Sequence, residues 1–392
     1  MKNIYKKLIA SFILMFLYNI NAYAQVEVAA YTNKKTDNKW SAYIEGFIQA
    51  DVMVDFQKNG YKDGFMAPFI EIPQNNSVDG KFSINQSQIG LGVKRTDSEG
   101  NSDLSAYVEI DFFGPYNTTR PRLRQGYVQW KKLLIGQAWS NFTDFDAFPA
   151  ILDFVGPNAM LFLQVLQIRY TTPLSAKSEL SLSIEDPNVI SALLPNDRRW
   201  KKKHNLPSFT ALYKYTNENN YIKVGGLLSP IRHEVNDELQ QKSAIKTTLG
   251  FAGMVSGKVY SKEKNNFIFQ SSYGRGYATH NTVLNEARYD AIPNLDRNRL
   301  QAMKLFNIYG VYEHWWAAKL SSTAYYSYSR FGKGDFIPGK MVQKFQNIGV
   351  NFIYYPYEKV RIGVEGNYGQ MSNFDKERTN GVRLQFASTF YF

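Results

Sequence analysis

The chain has 392 residues, no cysteine and a formal net charge of +12, with 27 Tyr, 27 Phe and 6 Trp despite a mean hydropathy of −0.38. The missing thiols exclude a disulfide scaffold and thiolate metal sites, and an aromatic-rich chain that is polar overall does not suit the Leu/Val/Ala core of a soluble enzyme. The basic excess points to anionic partners without distinguishing solutes, lipids and nucleic acids.

The chain opens MKNIYKK, with Lys2, Lys6 and Lys7, continues through the apolar run LIASFILMFLYNI, and reaches NAYA with Ala22 and Ala24 before Gln25. A basic start, a short apolar middle and an A-x-A site make residues 1–24 a secretory signal peptide, with residues 25–392 as one mature domain. No later run approaches the ~20 apolar residues of a transmembrane helix.

From Trp40 onward the dominant pattern is alternation. AYIEGFIQADVMVDF sets Ile44, Ile48, Val52 and Val54 against Glu45, Gln49, Asp51 and Asp55, and DLSAYVEIDF sets Leu104, Val108 and Ile110 against Asp103, Glu109 and Asp111. Near the carboxyl end, Val382, Leu384, Phe386, Ser388 and Phe390 oppose Arg383, Gln385, Ala387, Thr389 and Tyr391. Successive strand side chains point to opposite faces, and segments of ~10 alternating residues separated by turns mark an outer-membrane barrel.

Sixteen such segments are predicted. The first eight lie near Trp40–Phe56, Phe82–Arg95, Asp103–Phe113, Arg122–Trp130, Leu133–Trp139, Gln164–Thr172, Ser178–Glu185 and Pro207–Thr216. The second eight lie near Asn220–Leu228, Ile245–Gly257, Asn265–Tyr273, Lys304–Glu313, Ala317–Arg330, Gln343–Tyr354, Lys359–Gly369 and Thr379–Phe392. Their connections alternate long and short. The long set includes Gln57–Lys81, Ser140–Leu163, Asp186–Leu206, Ser229–Ala244 and Gly274–Met303, with Gly114–Pro121 and Gln370–Arg378 shorter than the rest. Hydrocarbon offers no partner for an open sheet edge, so the last strand must close on the first. The expected fold is an all-β, transmembrane, antiparallel, sixteen-stranded barrel whose terminal strand is wall to its last residue. Its terminal aromatic, Phe392, resembles the signal read by barrel-assembly machinery.

Sixteen strands leave room for an aqueous channel. The inward set is accordingly polar and of both signs, including Lys223, Arg361, Glu365 and Arg383 as pore-lining candidates. The long connection SNFTDFDAFPAILDFVGPNAMLF is too aromatic for an exposed loop and is expected to fold inward as a constriction. There Asp144, Asp146 and Asp153 would face the basic wall candidates Arg122, Arg124 and Arg169 across a transverse field. Arg169 has inward parity. Arg122 and Arg124 share the parity of Val128 and Trp130, and so point inward only if a bulge intervenes.

The run VEIDFFG…RPRLRQGYVQWKKLLIGQAWSNFTDFDAFPAILDFVGPNA…QIRYTTP, with SQIGLGVKR upstream, resembles the DcaP-like trimeric porins of Gram-negative outer membranes; the match is densest over Ser87–Pro173. The resemblance implies a homotrimer and an arginine-lined pore preferring small anionic solutes such as dicarboxylates. It places Arg122, Arg124 and Arg169 at the matched basic positions and Asp144 in the matched loop. Two departures stand out: Gln125 follows RLR where the family tends to have His, and Gln25–Lys39 leaves little room for the amino-terminal helical extension of some members.

RRWKKKHN, Arg198–Asn205, reads as solvated loop charge, or as a site for anions or lipopolysaccharide phosphates; nothing beside it supports nucleic-acid binding. His204, His233, His280 and His314 lack metal-ligand spacing, and His314 beside Trp315 and Trp316 suits an interfacial aromatic belt. No cofactor or metal is expected. The sequence thus predicts a non-enzymatic porin of the bacterial outer membrane, in contact with lipid and lipopolysaccharide, that passes small hydrophilic solutes by diffusion with an anion preference. The alternatives are a receptor or adhesin with a plugged lumen and an outer-membrane lipid hydrolase.

Overall fold

The computed structural model describes residues 25–33, 36–114, 118–195, 199–237, 242–262 and 264–392; the predicted signal peptide lies outside the described residues. Its strands are β1 (Val26–Thr32), β2 (Lys39–Asp55), β3 (Asp79–Ser83), β4 (Gln88–Thr96), β5 (Ser102–Asp111), β6 (Arg122–Trp130) and β7 (Leu133–Trp139). There follow β8 (Gln164–Ser175), β9 (Ser178–Glu185), β10 (Trp200–Lys203), β11 (Ser208–Asn217), β12 (Asn220–Asp237), β13 (Lys242–Lys262) and β14 (Asn265–Arg275). The last seven are β15 (Ala291–Asn294), β16 (Arg299–Ala302), β17 (Lys304–Ala317), β18 (Leu320–Phe331), β19 (Val342–Tyr357), β20 (Val360–Asn373) and β21 (Arg378–Tyr391).

Each wall strand pairs antiparallel with its neighbours, and β21 pairs with β2 to close a sixteen-stranded barrel. The predicted segment Phe82–Arg95 is one wall position made of two pieces, because β3 and β4 pair with the outer and inner halves of β2 respectively. Short turns between strands lie at the end that carries Phe392, and the long connections at the other, which in an outer-membrane barrel is the outer end.

The closure turns on one glycine. Gly46 and Phe392 exchange backbone hydrogen bonds of 3.1 and 3.0 Å, and there β2 changes partner, from β21 above to β1 below. Gly46 has φ +152°, and a Cβ on it would lie 2.2 Å from the Gln88 carbonyl oxygen, so only glycine fits. On β21, Val382, Phe386 and Phe390 are exposed outward while Arg383, Gln385 and Thr389 are buried inward, as the alternation predicts.

The largest boundary differences from the sequence reading are in β12 and β13. Ser229–Ala244 is not a loop: β12 and β13 continue as a hairpin ladder from Ser229 opposite Gly250 to Asp237 opposite Lys242. Pro230 suggests a break, yet it stands opposite Leu249 within the ladder, and the inward alternation of Ile231, His233 and Val235 carries on past it. Lys258–Lys262 likewise extends β13 against β14 rather than forming a turn.

The outer half of the lumen is packed. Three connections, 56–78, 140–163 and 276–303, contribute Phe65, Phe142, Leu161, Tyr277 and Leu284 to one apolar cluster resting on inward wall residues such as Leu227, Met254 and Phe345.

Candidate functional site

The connection 140–163 crosses the barrel, and the wall side chains explain how an irregular backbone survives at membrane depth. Such backbone needs partners from protein, and the inward polar row supplies them around the circumference. Glu185 accepts from the Asn141 N–H at 2.9 Å, Glu313 from the Ala150 N–H at 2.6 Å and Glu365 from the Leu152 N–H at 2.6 Å. Gln49 and Gln385 both donate to the Leu152 carbonyl at 3.1 Å, Asn347 donates to that of Gly156 at 3.0 Å, and Gln270 accepts from the Leu161 N–H at 2.8 Å.

Asp144 is buried, with Oδ1 2.6 Å from the Lys223 ammonium, while its Oδ2 accepts from Ser256 at 2.6 Å and Tyr221 at 3.1 Å. Asp146 is exposed, and its Oδ2 lies 2.9 Å from Lys214 and 3.0 Å from Lys223. The protein packed around this solvent-reached carboxyl partly desolvates it, which raises its pKa, but the Lys223 and Lys214 ammonium groups outweigh that and hold it below the usual carboxylate range.

Asp153 is sealed beneath the loop. Its Oδ1 accepts from the Val155 and Gly156 N–H groups, its Oδ2 accepts from the Phe65 N–H, and Arg383 stands 3.7 Å away. Burial raises its pKa against the opposing pull of Arg383 and those N–H donors. Arg383 is 0% exposed and forms a two-pronged pair with Asp55 at 2.7 and 2.8 Å. Of the four pore-lining candidates, then, Glu365 and Arg383 face inward but are covered by the loop they hold; Lys223 is bound to Asp144, and Arg361 is half-exposed.

The arginines of β6 are turned inward by the bulge their parity demands. Gln125 stands opposite Glu109 and Leu123 opposite Ile110, leaving Arg124 as the extra residue. Leu123 consequently faces lipid while Arg122 and Arg124 face the lumen. Arg124 is 4% exposed; its Nε donates to Glu109 at 2.7 Å and its Nη1 to Asp111 at 3.1 Å, and its guanidinium lies over the rings of Trp139 and Phe154. Arg122 forks onto the same Asp111 at 3.0 and 2.7 Å.

Arg169 differs. It is half-buried and donates to the Trp139 carbonyl at 3.3 Å. Arg361 donates to Thr389 at 3.1 Å and Gln49 at 3.0 Å, both neutral. Among the described residues, neither has a carboxylate within ion-pair distance. Their charges are therefore not spent on an ion pair.

The sequence reading missed the loops that back the constriction. Asn158 donates to the Phe65 carbonyl at 2.9 Å and accepts from the Ala67 N–H at 2.8 Å, while Asn281 donates to the Asn158 carbonyl at 3.0 Å. His280 packs edge-on against Phe142, its carbonyl accepts from the Phe162 N–H at 2.8 Å, and burial pulls its pKa down to about 4. The available signal was composition: Asn158 and Asn281 sit in apolar connections that a solvated loop would not have. Of the basic run, Arg198 lies outside the described residues; Trp200–Lys203 forms β10 against β12, with Lys203 paired to Glu234 at 2.7 Å.

The comparisons decide the family. The profile of the DcaP outer membrane protein family matches residues 23–392. The chain belongs to that family. Among solved structures it is similar to the outer membrane channel DcaP of Acinetobacter baumannii, at 19% identity and TM-score 0.77, over 93% of this chain and 100% of that one. It is also similar in fold to an anion-selective porin from Comamonas acidovorans, at 9% identity, TM-score 0.57 and coverage of 90% and 100%. OmpT of Vibrio cholerae shares the fold at 12% identity, TM-score 0.54 and coverage of 90% and 98%. Among curated proteins, no relative matches. The DcaP-family chain is an integral outer-membrane β-barrel with a channel fold.

Proposed function

We propose that this DcaP-family barrel passes small hydrophilic solutes by passive diffusion and favours anions of the dicarboxylate type. The observation that carries the reading is the pair Arg169 and Arg361, half-exposed guanidinium groups on the lumen wall whose hydrogen-bond partners are neutral. Arg122, Arg124, Asp144, Asp146 and Asp153 serve mainly to set the bore: they do not face one another across a field, because the arginines are spent on Asp111 and Glu109 and the aspartates on Lys223, Lys214 and Arg383. Guanidinium groups on a water-filled wall that no carboxylate neutralises attract the carboxylates of a solute in two-pronged geometry. Purified protein in a planar bilayer under a KCl gradient gives a reversal potential of anion-selective sign; a cation-selective sign overturns the preference, and silence overturns the channel.

The knitted outer connections favour a second reading, a receptor with a plugged lumen. It predicts tight ligand binding with no conductance in the same bilayer.

A homotrimer is part of the proposal, and the wall height supports it. β7 has 7 residues and β6 has 9, against 21 in β13. Seven residues tilted at ~45° climb ~16 Å, short of the ~25 Å apolar band. This low sector nonetheless carries Leu123, Val128, Trp130 and Ile135 outward, with Phe82 at 82% exposure close by. A neighbouring copy covers both the apolar face and the shortfall; a native mass measurement showing only monomer in mild detergent contradicts it.

A further inference from the structure

Around one side of the barrel, the outward position at or near the outer end of the strand is a cation: Arg275 on β14, Lys304 on β17, Arg330 on β18, Lys344 on β19 and Arg378 on β21. All five are exposed, and the residue next to each (Gly274, Leu305, Ser329, Phe345, Thr379) is buried on the lumen side. The strand period therefore fixes all five on the outer surface of the wall.

The register brings them together. Arg275 stands directly opposite Lys304, and Arg330 directly opposite Lys344. Lys304 is two residues from Phe306, the partner of Arg330, so the two pairs are diagonal neighbours. Ser372 links Lys344 to Arg378 across β20. Among the described residues, none of the five has a carboxylate within ion-pair distance.

Like charges directly opposite each other destabilise a sheet. Two such pairs, side by side and without an acidic partner, make a surface that an added polyanion completes. Its position chooses the anion. Just below the row on the same outward face are Tyr273, Phe306, Tyr328 and Tyr368, and the Arg275 guanidinium lies 4.6 Å over the outward ring of Phe251. Aromatic side chains gather where hydrocarbon meets headgroups. A cation row immediately above them is at headgroup height, where a solute on its way into the lumen does not pass.

We infer that this row binds the phosphate groups of an outer-leaflet lipid that carries more than one phosphate. Cross-strand neighbours ~5 Å apart and diagonal ones ~7–8 Å apart let a single lipid engage several cations at once, and arginine takes phosphate in two-pronged geometry. The inference is independent of the solute preference, since none of the five side chains reaches the lumen.

The test uses the purified full-length mature chain in detergent, with diphosphoryl lipid A as probe and native mass spectrometry as readout. K304E/K344E turns both like pairs into opposite pairs, so its lipid-free melting temperature is equal to or above that of the unaltered protein, and its affinity for diphosphoryl lipid A falls at least tenfold. Arg330→Gln and Arg378→Gln each give a smaller loss. Unchanged affinity across these variants overturns the inference. So does displacement of the lipid by inorganic phosphate at equal phosphate concentration, because that outcome makes the row a site for free anions. Conductance of K304E/K344E in a planar bilayer matches the unaltered protein, which keeps a failure here distinct from a failure of the channel reading.

Discussion

Arg124 and Glu109 meet across a β-bulge, Nε to Oε1 at 2.7 Å, and without that extra residue the arginine side chain would lie in lipid. Both side chains are buried, and Asp111 shares the same guanidinium. Arg124→Ala leaves buried carboxylates short of a partner, a cost of ~3–5 kcal/mol. The expected result is a clear drop in the urea midpoint of the barrel folded into lipid. Arg122→Ala removes a half-exposed partner and costs under ~1 kcal/mol. Equal midpoints for the two variants contradict this division.

Arg169→Glu and Arg361→Glu are expected to act on selectivity and not on folding. An ion a few ångströms away in water-like dielectric feels ~1 kcal/mol per unit charge, so each reversal shifts anion and cation by ~2 kcal/mol in opposite senses and lowers the anion-to-cation permeability ratio by more than about tenfold. Reversal potentials in a KCl gradient measure it. Arg383→Ala should do something different: it frees Asp55 and Asp153 beneath the loop, and shows up as unstable open-channel current.

The Asp146 carboxyl, held low by Lys223 and Lys214, is charged at neutral pH. Its folded-state pKa lies below its unfolded value, so the stabilisation it gives is complete above the ordinary carboxylate range and is lost as pH falls through that range toward the folded pKa. Loop-dependent current noise therefore stays flat from neutral pH down to about pH 5, near the ordinary carboxylate range, and rises below it. Asp146→Asn raises the noise at neutral pH and removes the acid step.

His280 also loses stability as pH falls, but in a higher window and for a different reason. Burial lowers its pKa to about 4, so between its ordinary value near ~6.5 and 4 the unfolded state binds more proton. Its site is most stable above that window and weakens on the way down through it. Amide hydrogen exchange across 276–303 speeds up on going from pH 7 to 4.5, after correction for the intrinsic rate, and His280→Leu abolishes the difference.

Phe392 contributes two backbone hydrogen bonds to Gly46, and we propose that its ring is also the aromatic read by the assembly machinery. Deleting Phe392 removes the backbone bonds but leaves Tyr391 as a terminal aromatic, whereas Phe392→Ala keeps the backbone bonds and removes the terminal ring. Native-like stability of refolded Phe392→Ala, with poor membrane assembly in cells, separates recognition from closure. Normal assembly of Phe392→Ala refutes the recognition role.

The wall was legible in the sequence because every wall residue faces either lipid or lumen, and a period of two records that choice locally. Val382 to Phe390 against Arg383 to Thr389 needed no tertiary information, and closure of the last strand on the first followed from the absence of water in hydrocarbon. The parity conflict at Arg122 and Arg124 even announced the bulge. Contacts between distant segments lay beyond reach: that Glu365 and Arg383 are covered by a loop more than two hundred residues away, that Asn158 and Asn281 knit three connections together, and that β12 and β13 rise past Pro230. A carboxylate that anchors a loop and one that lines a water path have the same residue type and the same parity. Only the folded packing above them decides which of the two reaches the solute.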